Sequence, residues 1–348
     1  MDKPTLPAKL SERYEIKAIL GRGGMGVVYK VFDLNLLKEF ALKILPDFNE
    51  SSLQRFQNEA RTLAKLQHEN IVEVIDFGIV ETTPYMVMEY LDGQSLESML
   101  ENEKPDFEES LEIINQILSA LNAAHSNGIL HRDIKPSNVI VMTNDCEELK
   151  AKLVDFGIAK MTESEQKMTG TGFIMGSPPY MSPEQVRGEV VDTRSDIYSF
   201  GCLAFEILTG EKAFQKETAF ETMQAHLKDD PPSPEVDPQV DSIVLQCLSP
   251  EPGNRYSSIS QLQEAFELLE LRTENSSYTE EDKKTVTGKK KIFPFVIGFG
   301  CIAIFTLLFI FLFKQSEKKS ASADVDMKIK WIDPTEDIPK VDAVLNAQ

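Results

Sequence analysis

Cysteine is scarce. Cys146, Cys202, Cys247 and Cys301 are the only four in 348 residues, and no two stand in C-x-x-C spacing. That pattern argues against a zinc site or a disulfide framework and for free thiols in a reducing compartment. Histidine is equally rare, with four residues and no metal-ligand spacing. Positive charge is in deficit: 36 Lys and Arg face 56 Asp and Glu, a net charge of −20. Affinity for nucleic acid rests largely on phosphate contacts, so no nucleic-acid partner is expected of such a polyanion. The N-terminal stretch M-D-K-P-T-L-P-A-K has no apolar core, so no cleaved signal peptide is expected. No internal repeat is visible.

What is present is the composition of a folding chain, 42% hydrophobic and 26% charged. The length allows about two domains. One apolar run stands out. Residues 292–313 contain no charge and hold seven of the 20 Phe. As a helix this run spans about 33 Å, enough for a hydrocarbon core of about 30 Å. Lys283, Lys284 and Lys289–Lys291 precede it, and Lys314, Lys318 and Lys319 follow it. The expectation is a single transmembrane helix in a lipid bilayer with its N-terminal side cytoplasmic, since the lysine bias favours that side modestly. Residues 272–291 then form a charged juxtamembrane linker and 314–348 a short extracytoplasmic tail. Residues 1–11 are an N-terminal extension, which leaves 12–271 as the folded region.

Within 12–271 the pattern changes from strands to helices. Period-two segments predict strands at Tyr14–Leu20, Val27–Phe32, Glu39–Ile44, Ile71–Phe77 and Tyr85–Tyr90. A helix is expected at Ser51–Leu66, with Leu53, Phe56, Ala60 and Leu63 on one face. A second carries the stripe Leu111, Ile114, Leu118 and Leu121 and ends near Gly128. Ile197–Leu208 is apolar on nearly every face and should be a buried helix closed by Gly210. The fold class is α+β in two lobes, joined by a hinge at Glu89–Gly93.

The chemistry-bearing residues are concentrated. Gly21-Arg22-Gly23-Gly24-Met25-Gly26-Val27-Val28 is a G-x-G-x-x-G-x-V loop. Glycines let main-chain N–H groups approach a phosphate, although a plain glycine turn between strands has the same form. A strand follows the loop rather than a helix, which disfavours a dinucleotide site. Lys43 sits inside the apolar strand F-A-L-K-I, where a lone lysine suits an edge or the surface. Glu59 borders the apolar face of the next helix, and a carboxylate there calls for a partner, for which Lys43 is available. The stretch His131-Arg132-Asp133-Ile134-Lys135-Pro136-Ser137-Asn138 crowds charge into eight positions. Asp133 can accept a hydroxyl proton, Lys135 can neutralise a phosphoryl group, and Asn138 can offer an oxygen to Mg²⁺. Asp155-Phe156-Gly157 adds a second hard oxygen ligand after an apolar strand.

In this order and spacing, these elements resemble the eukaryotic-type (Hanks-type) serine/threonine protein kinases. The S-P-E element Ser182-Pro183-Glu184 and the downstream apolar run most resemble the bacterial transmembrane members. Asp196, Gly201 and Arg255 also fit, with Glu184 and Arg255 forming a buried ion pair. The resemblance implies a bilobal kinase fold, β-rich in the N-lobe and helical in the C-lobe. It implies ATP with Mg²⁺ or Mn²⁺ as cofactors and protein Ser/Thr hydroxyls as substrates. Catalysis would fall to Asp133 and Lys135, and metal binding to Asn138 and Asp155. ATP would contact Gly21, Arg22, Gly23, Gly24, Met25, Gly26, Val27, Val28, Ala41, Lys43, Glu59, Met88, Glu89 and Leu91. Met88 falls at the gatekeeper position, Glu89 and Leu91 offer main-chain groups to adenine, and Ala41 and Val28 sandwich the ring. Residues 158–181 would be the activation loop, with Thr169 and Thr171 as phosphorylation sites near Arg132 and weaker candidates at Thr162 and Ser164. Ser177 stands where Thr is usual and keeps the hydroxyl that bonds the catalytic Asp and Lys. A homodimer is a further family expectation. All five of Lys43, Glu59, Asp133, Asn138 and Asp155 are present, unlike in a pseudokinase scaffold. The S-P-E element and long activation segment separate the chain from kinase-fold enzymes acting on small molecules.

Overall fold

Alternating apolar residues build one antiparallel sheet from the first part of the chain. Its strands are β1 (Tyr14–Gly23), β2 (Gly26–Asp33), β3 (Lys38–Ile44), β4 (Val74–Val80) and β5 (Thr83–Glu89), in the order β1-β2-β3-β5-β4. The structure is a computed structural model. It describes residues 6–23, 26–45, 50–144, 148–156 and 177–269, without the side chains at 50–52, 55 and 59. Successive residues of β3 face opposite sides, as the pleat requires. Phe40 and Leu42 join a small cluster with Leu10, Tyr14, Val31 and Val87, whereas Ala41 and Leu45 join the main core. Lys43 therefore shares a face with Ala41. On that side helix α2 (Glu50–Leu63) packs Phe56, Ala60 and Leu63; α1 is a single turn, Ala8–Ser11. The fully buried Asp33 at the end of β2 is neutralised by Arg13 Nε at 2.9 Å and accepts the N–H groups of Asn35 and Leu36. Those donors hold its pKa below the ordinary carboxylate value, although burial alone would raise it.

The second lobe begins with α3 (Leu96–Asn102) and α4 (Phe107–Ser126). A capping box between Asp106 and Glu109 starts α4. Ile113, Ile114, Ile117, Leu118 and Leu121 bury on its inner face, each contributing about 1.5–3 kcal/mol. A small sheet, β6 (Gln94–Ser95), β7 (Val139–Thr143) and β8 (Leu149–Leu153), lies against it. Helices α5 (Pro183–Arg187), α6 (Thr193–Thr209), α7 (Ala219–Lys228) and α8 (Pro238–Cys247) follow, then α9 over 259–269. Every residue of α6 from Ser195 to Leu208 is buried, and Gly210 closes it at φ +80°. The central helix expected at Ile197–Leu208 is therefore present, longer at both ends.

Element boundaries shift by a few residues from the sequence expectation. The strand placed at Ile71–Phe77 starts at Val74, because Ile71 and Val72 are held by the other lobe. Ile71 bridges Leu153 in parallel, and the Val72 N–H donates to the Leu153 carbonyl at 3.0 Å. The helix placed at Ser51–Leu66 runs from Glu50 to Leu63. Among the described residues, no helix is long and apolar enough to cross a membrane. The expected linker, span and tail, 272–348, lie outside the described residues.

Candidate active site

The glycine-rich hairpin closes with Gly21 opposite Val28, Arg22 opposite Val27 and Gly23 opposite Gly26. Its glycines have different reasons. At Gly26, φ is +114° and an added Cβ would lie 2.0 Å from the Ile44 carbonyl oxygen, so the fold itself excludes a side chain. At Gly21 and Gly23 an added Cβ meets nothing within 4 Å. Packing does not demand glycine there, and a ligand approaching the main chain is what the open space suits. Gly24 and Met25 lie outside the described residues.

Register sets the floor beneath the hairpin. Val28 pairs with Lys43, and Lys43 with Met86; Ala41 pairs with Met88. Ala41 and Met88 are buried, while Val28 and Leu91 pack on the core from partly exposed positions. Lys43 Nζ lies 2.8 Å from Asp155 Oδ1, with the lysine side chain 10% and the aspartate 28% exposed. Helix α2 carries Glu59, and its expected pairing with Lys43 lies outside the described side chains. At the hinge, the Glu89 N–H donates to the Glu73 carbonyl at 3.0 Å, so its carbonyl is the main-chain group it can offer a ligand. The Glu89 carboxylate accepts from the Glu73 N–H and pairs with Lys152 of β8, tying the hinge to the second lobe. A cavity of about 220 Å³ behind this pair is lined by His68, Ile71, Glu73, Glu89 and Lys152 and contains none of Lys43, Asp133 or Asp155.

The loop after α4 is delivered by a Schellman turn. Gly128, at φ +73°, donates to His125 O, and Ile129 donates to Ala124 O. The chain then passes through Arg132 at φ +64°, a left-handed conformation that non-glycine residues rarely adopt. Asp196 of α6 holds it there. Its carboxylate accepts the N–H groups of His131 and Arg132, and His125 Nε2, all at 2.8 Å. Burial would raise the Asp196 pKa, but these donors hold it below the usual carboxylate value. His131 is fully buried, and that burial lowers its pKa, so it is neutral. Its Nε2 faces the Val154 carbonyl at 3.2 Å and must carry the proton, leaving Nδ1 to accept the Asp133 N–H at 3.3 Å.

Around Asp133 the predicted residues converge. Lys135 Nζ is 3.0 Å from Asp133 Oδ2, and Asn138 Nδ2 donates to the Asp133 carbonyl at 2.7 Å and to Oδ2 at 3.2 Å. Ser177 Oγ accepts from Lys135 Nζ at 3.0 Å and reaches Asp133 Oδ1 at 3.5 Å. The Asn138 carbonyl accepts the Val154 N–H at 2.9 Å, which places the strand leading to Asp155 beside this loop. Asp155 also has positive φ, +58°, and Phe156 packs its ring 4.6 Å from His131. Lys43, Asp133, Lys135, Asn138 and Asp155 thus belong to one contiguous network. Asp155 and Asn138 supply two hard oxygen donors, a set suited to a magnesium ion that takes its remaining ligands from phosphates and water. Among the described residues no group of three acidic, His or Cys side chains forms a dedicated metal cage.

Below the loop, Arg255 spends all its donors. It makes a bidentate pair with Glu184 at 2.8 and 3.0 Å, donates to the carbonyls of Ser249, Arg194 and Pro250, and stacks over Tyr198 at 4.8 Å. Ser195 Oγ donates to Glu184 at 2.6 Å. The pair implied by resemblance is present. The supports that the sequence did not reveal are His125, Asn70, whose amide bonds Gln116 and Ala151 O, and the Tyr180–Glu206 hydrogen bond at 2.5 Å. The available signal was a buried acid, Asp196, in an apolar helix that needed donors. Gly157, the segment 158–176 and hence Thr162, Ser164, Thr169 and Thr171 lie outside the described residues.

A five-stranded lobe with a glycine-rich hairpin and a strand lysine, facing a helical lobe with an Asp-Lys-Asn loop, defines the protein kinase fold. The chain belongs to the protein kinase domain family, whose model matches residues 14–267. It is 40% identical over 272 residues to serine/threonine-protein kinase PknB of Mycolicibacterium smegmatis, covering 74% of this chain and 43% of that protein. To serine/threonine-protein kinase pkn3 of Myxococcus xanthus it is 38% identical over 264 residues, covering 72% and 48%. The chain thus spans under half the length of these relatives. The crystal structure of the Mycobacterium tuberculosis PknI kinase domain superposes with a TM-score of 0.57 at 26% identity, covering 73% of this chain and 94% of that one.

Proposed function

We propose that the chain is a membrane-anchored serine/threonine protein kinase that transfers the ATP γ-phosphate to protein hydroxyls. The observation that carries this reading is the convergence of Asp133 with Lys135, Asn138 and Ser177, one strand end from the Lys43–Asp155 pair. Asp133 accepts the proton of the attacking Ser or Thr hydroxyl. The new O–P bond forms on that oxygen as the bond to the β–γ bridging oxygen breaks and ADP leaves. Lys135 offsets the charge of the transferring group, and Lys43 fixes the phosphates behind it. Asn138 and Asp155 would hold Mg²⁺, which when bound neutralises the phosphate oxygens. The glycine-rich hairpin covers the phosphates with main-chain N–H groups. Ala41, Val28, Met88, Glu89 and Leu91 accept adenine.

Autophosphorylation at Thr169 and Thr171 would add dianionic groups with which Arg132 could pair. The apolar run 292–313 anchors the catalytic part to the cytoplasmic face, and the full chain is expected in the membrane fraction after alkaline washing; recovery in the soluble fraction would remove the anchor. The decisive assay is γ-³²P transfer to a protein acceptor by the full chain beside Asp133→Asn. The variant should keep ATP binding and lose most transfer. Transfer at the wild-type rate would dismiss Asp133 as the base.

A further inference from the structure

Two prolines, Pro178 and Pro179, follow Ser177, so the main chain between Ser177 and Tyr180 has no N–H of its own. Within the turn the Ser177 carbonyl accepts the Tyr180 N–H at 2.9 Å and the Pro178 carbonyl the more distant Met181 N–H at 3.4 Å. The Pro178 carbonyl also lies 2.8 Å from Nε2 of His226 on α7, which ties the turn to another element. A carbonyl only accepts, so His226 Nε2 carries the proton. Nδ1 is then an acceptor, and the Tyr198 hydroxyl 2.8 Å away donates to it. One tautomer satisfies both contacts. The imidazole is 1% exposed, between the rings of Phe214 at 4.5 Å and Tyr198 at 5.6 Å. Burial lowers its pKa to about 4, so it stays neutral at pH 7.

We propose that His226 is a positioning residue for phosphoryl transfer: it holds the main chain at Pro178, and through it the Ser177 hydroxyl that touches Asp133 and Lys135, on the buried Tyr198 of α6. Two residues earlier on α6, Asp196 fixes the main chain of His131 and Arg132. One rigid helix therefore sets both sides of the site, the loop bearing Asp133 directly and the loop bearing Ser177 through His226. The bonds of Ser199 Oγ to Tyr180 O and of the Tyr180 hydroxyl to Glu206 fix the other end of the turn. They reach Ser177 only through its carbonyl, which accepts the Tyr180 N–H at 2.9 Å. The inference rests on the reading of Asp133 as the base.

The test uses the full chain with myelin basic protein as acceptor and compares His226→Phe, His226→Gln, Tyr198→Phe and Asp133→Asn. His226→Phe fills the space but donates nothing, whereas Gln places an N–H near the Nε2 position. His226→Phe should lower kcat/KM for the acceptor by about ten- to a hundred-fold, with the KM for ATP within about two-fold, since no nucleotide contact changes. His226→Gln should recover most of that loss. Unimpaired His226→Phe, or a Gln variant as poor as Phe, overturns the proposal. Loss of ATP affinity in step with acceptor turnover also overturns it, as a purely structural role would give that. Where His226→Phe does not fold, Tyr198→Phe takes its place: it should reduce acceptor kcat/KM severalfold at unchanged ATP KM, and an unchanged value overturns the proposal. Transfer persisting in Asp133→Asn overturns the base assignment and the inference with it. An inactive Asp133→Asn beside a fully active His226→Phe overturns the inference alone.

Discussion

Arg255→Met tests how far the C-lobe depends on one buried ion pair. The Arg255 side chain is fully buried and Glu184 is 5% exposed, so water can replace neither partner. The substitution keeps an unbranched side chain of similar bulk but removes two hydrogen bonds to Glu184. It also strands the carbonyls of Ser249, Arg194 and Pro250. Removing one member of a buried hydrogen-bonded pair costs about 3–5 kcal/mol. At about 2–4 °C per kcal/mol for a domain of this size, Tm should fall by about 6–20 °C. The pH dependence gives an independent sign. In the wild type burial favours the neutral Glu184, but the hydrogen bonds from Arg255 and Ser195 outweigh it and hold the pKa below the ordinary 4.5. A lowered pKa contributes stability that is complete above the unfolded value and is lost as pH falls through the folded one. In Arg255→Met burial dominates and raises the Glu184 pKa. The penalty is then complete above that raised pKa and fades as the carboxylate protonates. The Tm gap between wild type and variant should therefore narrow from pH 7.5 to pH 5. Adding Glu184→Gln should restore part of the loss at pH 7.5, because no unpaired charge remains. Thermal unfolding across this pH range decides it. A Tm loss under about 2 °C, or a gap that widens on acidification, would refute the reasoning.

The two kinds of glycine in the hairpin should separate in one experiment. Gly26→Ala forces a Cβ against the Ile44 carbonyl at a left-handed φ and should cost about 1–3 kcal/mol in thermal or denaturant unfolding. Gly21→Ala, which meets nothing, should leave Tm unchanged and raise the KM for ATP. Lys43→Met should lower kcat/KM by about a hundred-fold or more and shrink the thermal stabilisation given by ATP with Mg²⁺, because the strand then offers the phosphates no charge. Wild-type stabilisation by ATP in that variant would count against the assignment of Lys43.

The lobes were legible because burial imposes a period. Phe40 and Leu42 on one face of β3, with Ala41 between them on the other, repeat at two; Ile114, Leu118 and Leu121 of α4 repeat at three to four. The start of β4 was not legible, because the partner of Ile71 is Leu153, more than 80 residues away, and no local pattern records such a bridge. The motif residues were legible for a different reason: a lysine in an apolar strand and an Asp-Lys-Asn loop violate the burial pattern, and each violation needs a compensating partner. The hidden residues are those that compensate without violating it. His125 on α4 and His226 on α7 look like ordinary polar positions in amphipathic helices. They become informative once Asp196 and Pro178 are seen to need donors. Asp196, Tyr198 and Ser199 occupy one stretch of α6: Asp196 holds the loop bearing Asp133, while Ser199 directly and Tyr198 through His226 hold the turn Pro178–Tyr180. The loops can hold left-handed residues such as Arg132 because a helix buried along its length cannot move to relieve them. The placement of Asp133 is thus a property of α6, a helix buried from Ser195 to Leu208, as much as of the loop that carries it.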